Sequence, residues 1–72
     1  SSDEKEILDL LNPIVDSNSV WKPETIKFLG DYYFSVDQLQ KAKKYYLMLV
    51  SEDFPNIDIN KINKKIQIIE NE

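Results

Sequence analysis

A single glycine inside a helical pattern is the feature that most constrains the fold of this 72-residue chain. Gly30, the only glycine, directly follows Leu29 and is followed by Tyr33, Ala42 and Tyr46 at regular distances. Glycine inside a helix costs about 1 kcal/mol relative to alanine, so it usually has a packing reason. We therefore expect two antiparallel helices to approach each other closely here, with Gly30 against Ala42.

Apolar residues recur at spacings of three and four in four segments, and this periodicity predicts four helices. The segments cover residues 3–16, 23–35, 37–50 and 57–70. Short loops separate them, and short loops make consecutive helices antiparallel neighbours. We expect one all-α domain over residues 1–72, built from antiparallel helix hairpins.

Three residues give signals about where the helices begin and end. Pro13 is expected either to kink the first helix or to end it after Leu11. Trp21 is expected to pack as a hydrophobic staple at the entry to the second helix, rather than to serve as an anchor for a partner. Asp37 is expected to cap the third helix, because Gln40 lies three residues later in the arrangement of a capping box.

The composition argues against several classes of function. The chain has 13 acidic residues against 9 lysines, for a net charge of −4, and it has no arginine. Nucleic-acid-binding proteins usually carry a basic patch and use arginine for phosphates and bases, so we expect no nucleic-acid partner. No apolar run approaches the ~18 residues of a membrane span, so we expect no membrane insertion. We expect a cytoplasmic protein, with nuclear and organelle-associated locations left open.

The sequence offers no recognisable catalytic chemistry. Histidine and cysteine are absent, which excludes disulfides and the usual Cys/His metal sites. One glycine cannot form a glycine-rich phosphate loop, and the carboxylates do not have the spacing of a calcium loop. We therefore expect no catalytic residue, no metal, no cofactor and no enzymatic activity.

Residues 23–55 resemble one tetratricopeptide repeat. The residues that match the repeat pattern are Leu29, Gly30, Tyr33, Ala42 and Tyr46. Three positions depart from it. Ile26 stands where the family prefers Trp, Leu49 stands where it prefers a small residue, and Pro55 comes one residue late. The resemblance implies right-handed, repeat-like stacking of the hairpins. Residues 3–16 would then be a degraded repeat or a cap, and residues 57–70 a capping helix.

The resemblance also implies a function, that of a protein–protein interaction module or scaffold without other ligands. In this family the first helix of each hairpin lines a groove that holds a partner's peptide or helix. The groove-facing candidates in this sequence are Glu24, Lys27, Asp31 and Phe34. An alternative is that Lys27 and Asp31, four residues apart, simply pair with each other on the surface.

Two other hypotheses remain open from the sequence. One is a small helical trafficking domain of the microtubule-interacting-and-transport type, which would form a closed bundle of three long helices. The other is an oligomerisation element that uses Ile57, Ile62 and Ile68 as an apolar face. Repeat arrays usually need about three repeats, so we expect an excised fragment, a self-capped short array or a homo-oligomer. A fourth helix stacked on the second would favour the repeat.

Overall fold

The structure is a computed structural model that describes residues 2–72, and this part of the chain contains four α-helices. They are α1 (Ser2–Val15), α2 (Lys22–Ser35), α3 (Leu39–Ser51) and α4 (Ile59–Glu70). Each helix packs against the next one along the chain. The prediction of an all-α chain built from antiparallel helix hairpins is confirmed.

The helices lie side by side in chain order and form a thin layer. The Cα atoms extend over 31 × 31 × 13 Å. Among residues 2–72, the backbones of helices that are not consecutive stay more than 8 Å apart. α4 packs against α3, and it also contacts α2 through the Lys65 side chain, which reaches Asp31. Residues 2–72 do not form a closed bundle of three long helices.

The core lies between the helices of this layer, with most of its side chains on α2, α3 and α4. Leu29, Ala42, Tyr46 and Leu49 are fully buried. Val15 is the buried residue among positions 3–15 of α1, while other apolar residues of that helix pack against the core and stay partly exposed. The layer is thus well packed around α3 and thinner at α1. None of the described helices has the length and apolar character needed to cross a membrane.

Gly30 lies directly beneath the ring of Tyr46. A Cβ atom at Gly30 would stand 2.6 Å from the Tyr46 Cε1 atom and 2.8 Å from its Cδ1 atom. Such a distance requires one of the two residues to move, so only glycine fits here without a shift. The close contact between α2 and α3 is as expected, but the residue that needs the space is Tyr46 and not Ala42.

The end of α1 decides between the two expectations for Pro13, and the start of α2 contradicts the expectation for Trp21. α1 continues through Pro13 to Val15, so the proline does not end the helix after Leu11. Trp21 is 66% exposed, so the prediction that it packs as a staple at the entry to α2 is wrong. Its carbonyl accepts a hydrogen bond from the Thr25 N–H, and the indole ring extends into solvent.

The predicted cap of the third helix is also wrong. α3 begins at Leu39, and Asp37 has a φ of 61°, in the left-handed region that closes the turn after α2. Because Asp37 turns the chain, it does not cap α3, and no side-chain cap bond forms at the start of this helix. A cap of the expected kind occurs at α4, where the Asp58 side chain accepts a hydrogen bond from the Lys61 N–H at 3.1 Å.

The three isoleucines predicted to form an oligomer face do not share one face. Ile62 is 1% exposed and belongs to the core, so its assignment to an external contact is wrong. Ile57 is half-buried and packs against the same core. Only Ile68, which is 51% exposed, is available to another molecule.

Candidate functional site

Asp31, one of the four residues predicted to face a partner, is the centre of an internal hydrogen-bond network. One carboxylate oxygen, Oδ1, accepts hydrogen bonds from the Tyr46 hydroxyl at 2.6 Å and from the Lys65 Nζ at 2.8 Å. The other, Oδ2, accepts from the Lys27 Nζ at 2.9 Å. Asp31 therefore connects α2 with α3 and α4, which are helices that follow it in the chain.

The ionised form of Asp31 is strongly favoured. Partial burial would by itself raise the pKa of this carboxyl group, but the hydrogen bonds from Lys65, Tyr46 and Lys27 outweigh that effect. The pKa of Asp31 is lowered from its ordinary value of 3.8 to about 2. Burial, together with the hydrogen bond to this carboxylate, raises the pKa of the Tyr46 hydroxyl. The network is thus fixed as a tyrosine that donates to a carboxylate.

Phe34 and Lys27 belong to the same surroundings. The Phe34 ring is half-buried, with its centroid 6.4 Å from that of Tyr46, and the Lys65 Nζ lies 5.7 Å from the Phe34 centroid. Lys27 and Asp31 form the i,i+4 ion pair that the sequence left as an alternative. Three of the four predicted groove residues are therefore held by contacts within the chain, and their role toward a partner stays a prediction.

A second network fastens α1 to the hairpin that follows it. The Glu4 Oε2 accepts hydrogen bonds from the Tyr33 hydroxyl at 2.9 Å and from the Lys41 Nζ at 3.0 Å. The bond from Lys41, followed by the one from Tyr33, lowers the pKa of Glu4. Burial and then the bond to Glu4 raise the pKa of the Tyr33 hydroxyl. In both networks the polar groups bond to one another across neighbouring helices. The networks therefore hold the helices in place.

An open apolar groove lies between α1 and α2. It has a volume of about 310 Å³, and its lining residues are Ile7, Leu10, Leu11, Glu24, Thr25 and Phe28. Leu10 is 73% exposed and Phe28 is 52% exposed. Among the residues predicted to face a partner, Glu24 alone lines this groove. This groove can bury apolar side chains of another molecule.

The sequence reasoning missed the two most exposed residues of the groove. On each of the first two helices the apolar residues at helical spacing form a stripe, and Leu10 and Phe28 lie within these stripes. The missed signal is the width of these stripes. Each is broader than one packed neighbour can cover, and in a layer of helices the excess faces outward.

The groove holds no recognisable metal site, and comparisons with known proteins add no function. Among residues 2–72 there is no group of three or more residues of the metal-ligating types placed to hold an ion. No protein-family model matches the chain, and neither a curated protein nor a solved structure matches it.

Proposed function

We propose that this chain is a protein–protein interaction module, and that it holds an amphipathic helix of a partner protein in the α1/α2 groove. The observation that carries the proposal is the exposure of Leu10 and Phe28 at 73% and 52% on either side of an apolar depression. Apolar patches of this kind are costly to expose to water and commonly mark sites of interaction. A molecule that covers the groove is stabilised there, because its binding removes both side chains from water.

A helix is the occupant that suits this groove. Two neighbouring helices form a channel that runs along their length, and α1, with 14 residues, is about 21 Å long. A third helix fits such a channel when it presents apolar residues at positions i, i+3 or i+4, and i+7. The tetratricopeptide-like spacing of residues 23–55 supports the same proposal, since repeats of that kind serve as rigid scaffolds for partners.

The test uses an amphipathic helical peptide of about four turns, with leucines on one face and neutral glutamines on the other. Leu10→Gln should weaken its binding roughly tenfold, because one apolar anchor in the groove is lost. Leu47→Gln is the matched control, since Leu47 is 45% exposed on α3 and lies outside the groove. Glutamine is as good a helix former as leucine, so neither change should perturb its helix.

The change in affinity can be measured by titration calorimetry, and the contact surface by amide chemical-shift changes. The proposal predicts shift changes in α1 and α2 and a control that binds like the wild type. Equal weakening by Leu47→Gln, or undiminished binding by Leu10→Gln, would show that the peptide does not use the groove.

A further inference from the structure

Three carboxylates border the α1/α2 groove and form no ion pair with any residue in the range 2–72. Glu24 lines the groove itself. On α1, Asp3 lies one turn before Ile7, and Glu6 lies one turn before Leu10, so both project beside the apolar residues. All three acidic residues are exposed, and within residues 2–72 none of them forms an ion pair.

The other carboxylates of α1 and α2 are paired, and Glu4 among them binds Lys41. Asp9 pairs with Lys5 at 2.6 Å, and Asp31 pairs with Lys27 and with Lys65. On these two helices Lys5 and Lys27 pair with those acids, and Lys22, at the start of α2, forms no ion pair among the described residues. Within α1 and α2, the carboxylates that form no ion pair among the described residues are therefore the three beside the groove.

We propose that the helix bound in this groove is basic, with lysine or arginine residues on both sides of its apolar face. This inference rests on the proposed function and names the chemistry of the partner. Cations beside the apolar face would meet Asp3 and Glu6 along one wall and Glu24 along the other. The net charge of −4 acts in the same direction, because it attracts a basic partner and raises the rate of encounter.

The expected size of the effect follows from the exposure of these acids. An exposed ion pair at the rim of a contact changes affinity by about fivefold at most, and several pairs together by on the order of tenfold or more. The apolar residues therefore supply most of the affinity, and the acids select among helices of similar apolar character. Salt should reduce this selection without abolishing binding.

A second copy of the chain is a poorer occupant. A basic surface of this protein lies on α4, where Lys61 and Lys64 are exposed and form no ion pair among the described residues. The only large apolar side chain exposed on that helix is Ile68, which is too little to fill the groove. Two copies with a net charge of −4 each also repel one another at long range.

The test compares three peptides that share one leucine face and carry lysine, glutamine or glutamate at the polar positions. We expect the lysine peptide to bind most tightly and the glutamate peptide most weakly, with the difference shrinking from about 50 to about 500 mM salt. The double variant Glu6→Gln/Glu24→Gln should reduce the preference for lysine several-fold. Its matched control is Asp53→Asn/Glu72→Gln, two exposed acids that do not line the groove.

The outcomes separate this inference from the function on which it rests. If all three peptides bind equally and Leu10→Gln weakens each of them, the groove binds helices but the inference about charge is wrong. If the control removes the preference as strongly as Glu6→Gln/Glu24→Gln, the attraction is general and the inference is again wrong. If Leu10→Gln changes none of the affinities, the proposed function itself fails.

Sedimentation of the protein without peptide completes the test. A monomer over the whole concentration range supports a separate basic partner. Self-association that Lys61→Glu/Lys64→Glu abolishes would assign the groove to a second copy and overturn the proposal.

Discussion

At the scale of single residues, Asp31 has a different role from the one that its position in the sequence indicates. An acid on the exposed side of a helix, four residues after a lysine, is typical of a surface ion pair. Here it also receives hydrogen bonds from Tyr46 and Lys65, which lie 15 and 34 residues further along the chain. A local sequence pattern cannot indicate hydrogen-bond donors that lie so far along the chain. The sequence could therefore predict the pair with Lys27 but not the rest of the network.

Asp31→Asn should destabilise the protein, most strongly near neutral pH. The folded pKa, about 2, lies below the ordinary value of 3.8, so the ionised carboxylate stabilises the fold above pH 3.8. This stabilisation is lost as the pH falls toward 2. Because the side chain is 34% exposed, solvent screening limits the contribution to roughly 1 kcal/mol.

Urea unfolding between pH 7 and pH 2 measures this difference. The wild type should lose stability over the acid range faster than Asp31→Asn, so that the two curves converge near pH 2. Asp53→Asn, in an exposed loop, is the control and should follow the wild type. Parallel curves for wild type and Asp31→Asn would contradict the assigned pKa.

Gly30→Ala should destabilise the protein although alanine is the better helix former. The gain in helix propensity is about 1 kcal/mol. Against it stands the new Cβ, 2.6 Å from the Tyr46 ring, which is fully buried and held by its hydroxyl on Asp31. Overpacking of this kind costs ~1–3 kcal/mol, so we expect a net loss of about 1 kcal/mol in the free energy of unfolding.

Thermal and urea unfolding of Gly30→Ala provide the measurement. Asn63→Ala serves as the comparison, since Asn63 is exposed in α4 and its replacement brings only the propensity gain. If Gly30→Ala were as stabilising as Asn63→Ala, the ring of Tyr46 would have to be free to move, contrary to the packing described.

At the scale of the elements, the sequence predicted the four helices well and their ends less well. Helix periodicity is carried by many residues, so one misleading position does not change it. A helix end depends on the backbone angles of one or two residues. Asp37 has the residue type and the spacing of a cap, but the sharp turn between α2 and α3 requires a left-handed residue at that position. The turn therefore determines the conformation of Asp37, and the cap that the spacing predicts does not form.

Asp37→Gly and Asp58→Gly should therefore have opposite effects. At Asp37 the φ of 61° suits glycine, so stability should be unchanged or raised by up to about 1 kcal/mol. At Asp58 the side chain caps α4, so Asp58→Ala should cost about 1 kcal/mol and Asp58→Gly only about a few tenths of a kcal/mol. Urea unfolding of these variants distinguishes the two roles, and a loss for Asp37→Gly as large as that for Asp58→Ala would favour a cap at Asp37.

At the scale of the whole molecule, the serial packing of the helices explains why the candidate site was only partly predictable. Each helix covers one side of the next, and within the part of the chain that the structure describes no helix covers the open side of the α1/α2 pair. Glu24 was predicted from its face on the second helix, but the contribution of α1 depends on how the two helices are placed relative to each other. The outward residues Leu10 and Phe28 could be recognised only after that placement was known.

The exposed residues of the groove should be nearly dispensable for folding, and this separates a binding role from a structural one. Leu10→Gln/Phe28→Gln should change the free energy of unfolding by less than about 1 kcal/mol, because both side chains are already largely in water. Leu29→Ala, at a position that is fully buried, should cost ~2–5 kcal/mol and leave a domain of this size close to unfolded. Circular dichroism during urea titration measures both variants. If the double variant unfolded as readily as Leu29→Ala, Leu10 and Phe28 would be part of the core, and the groove would not be a surface kept open for a partner.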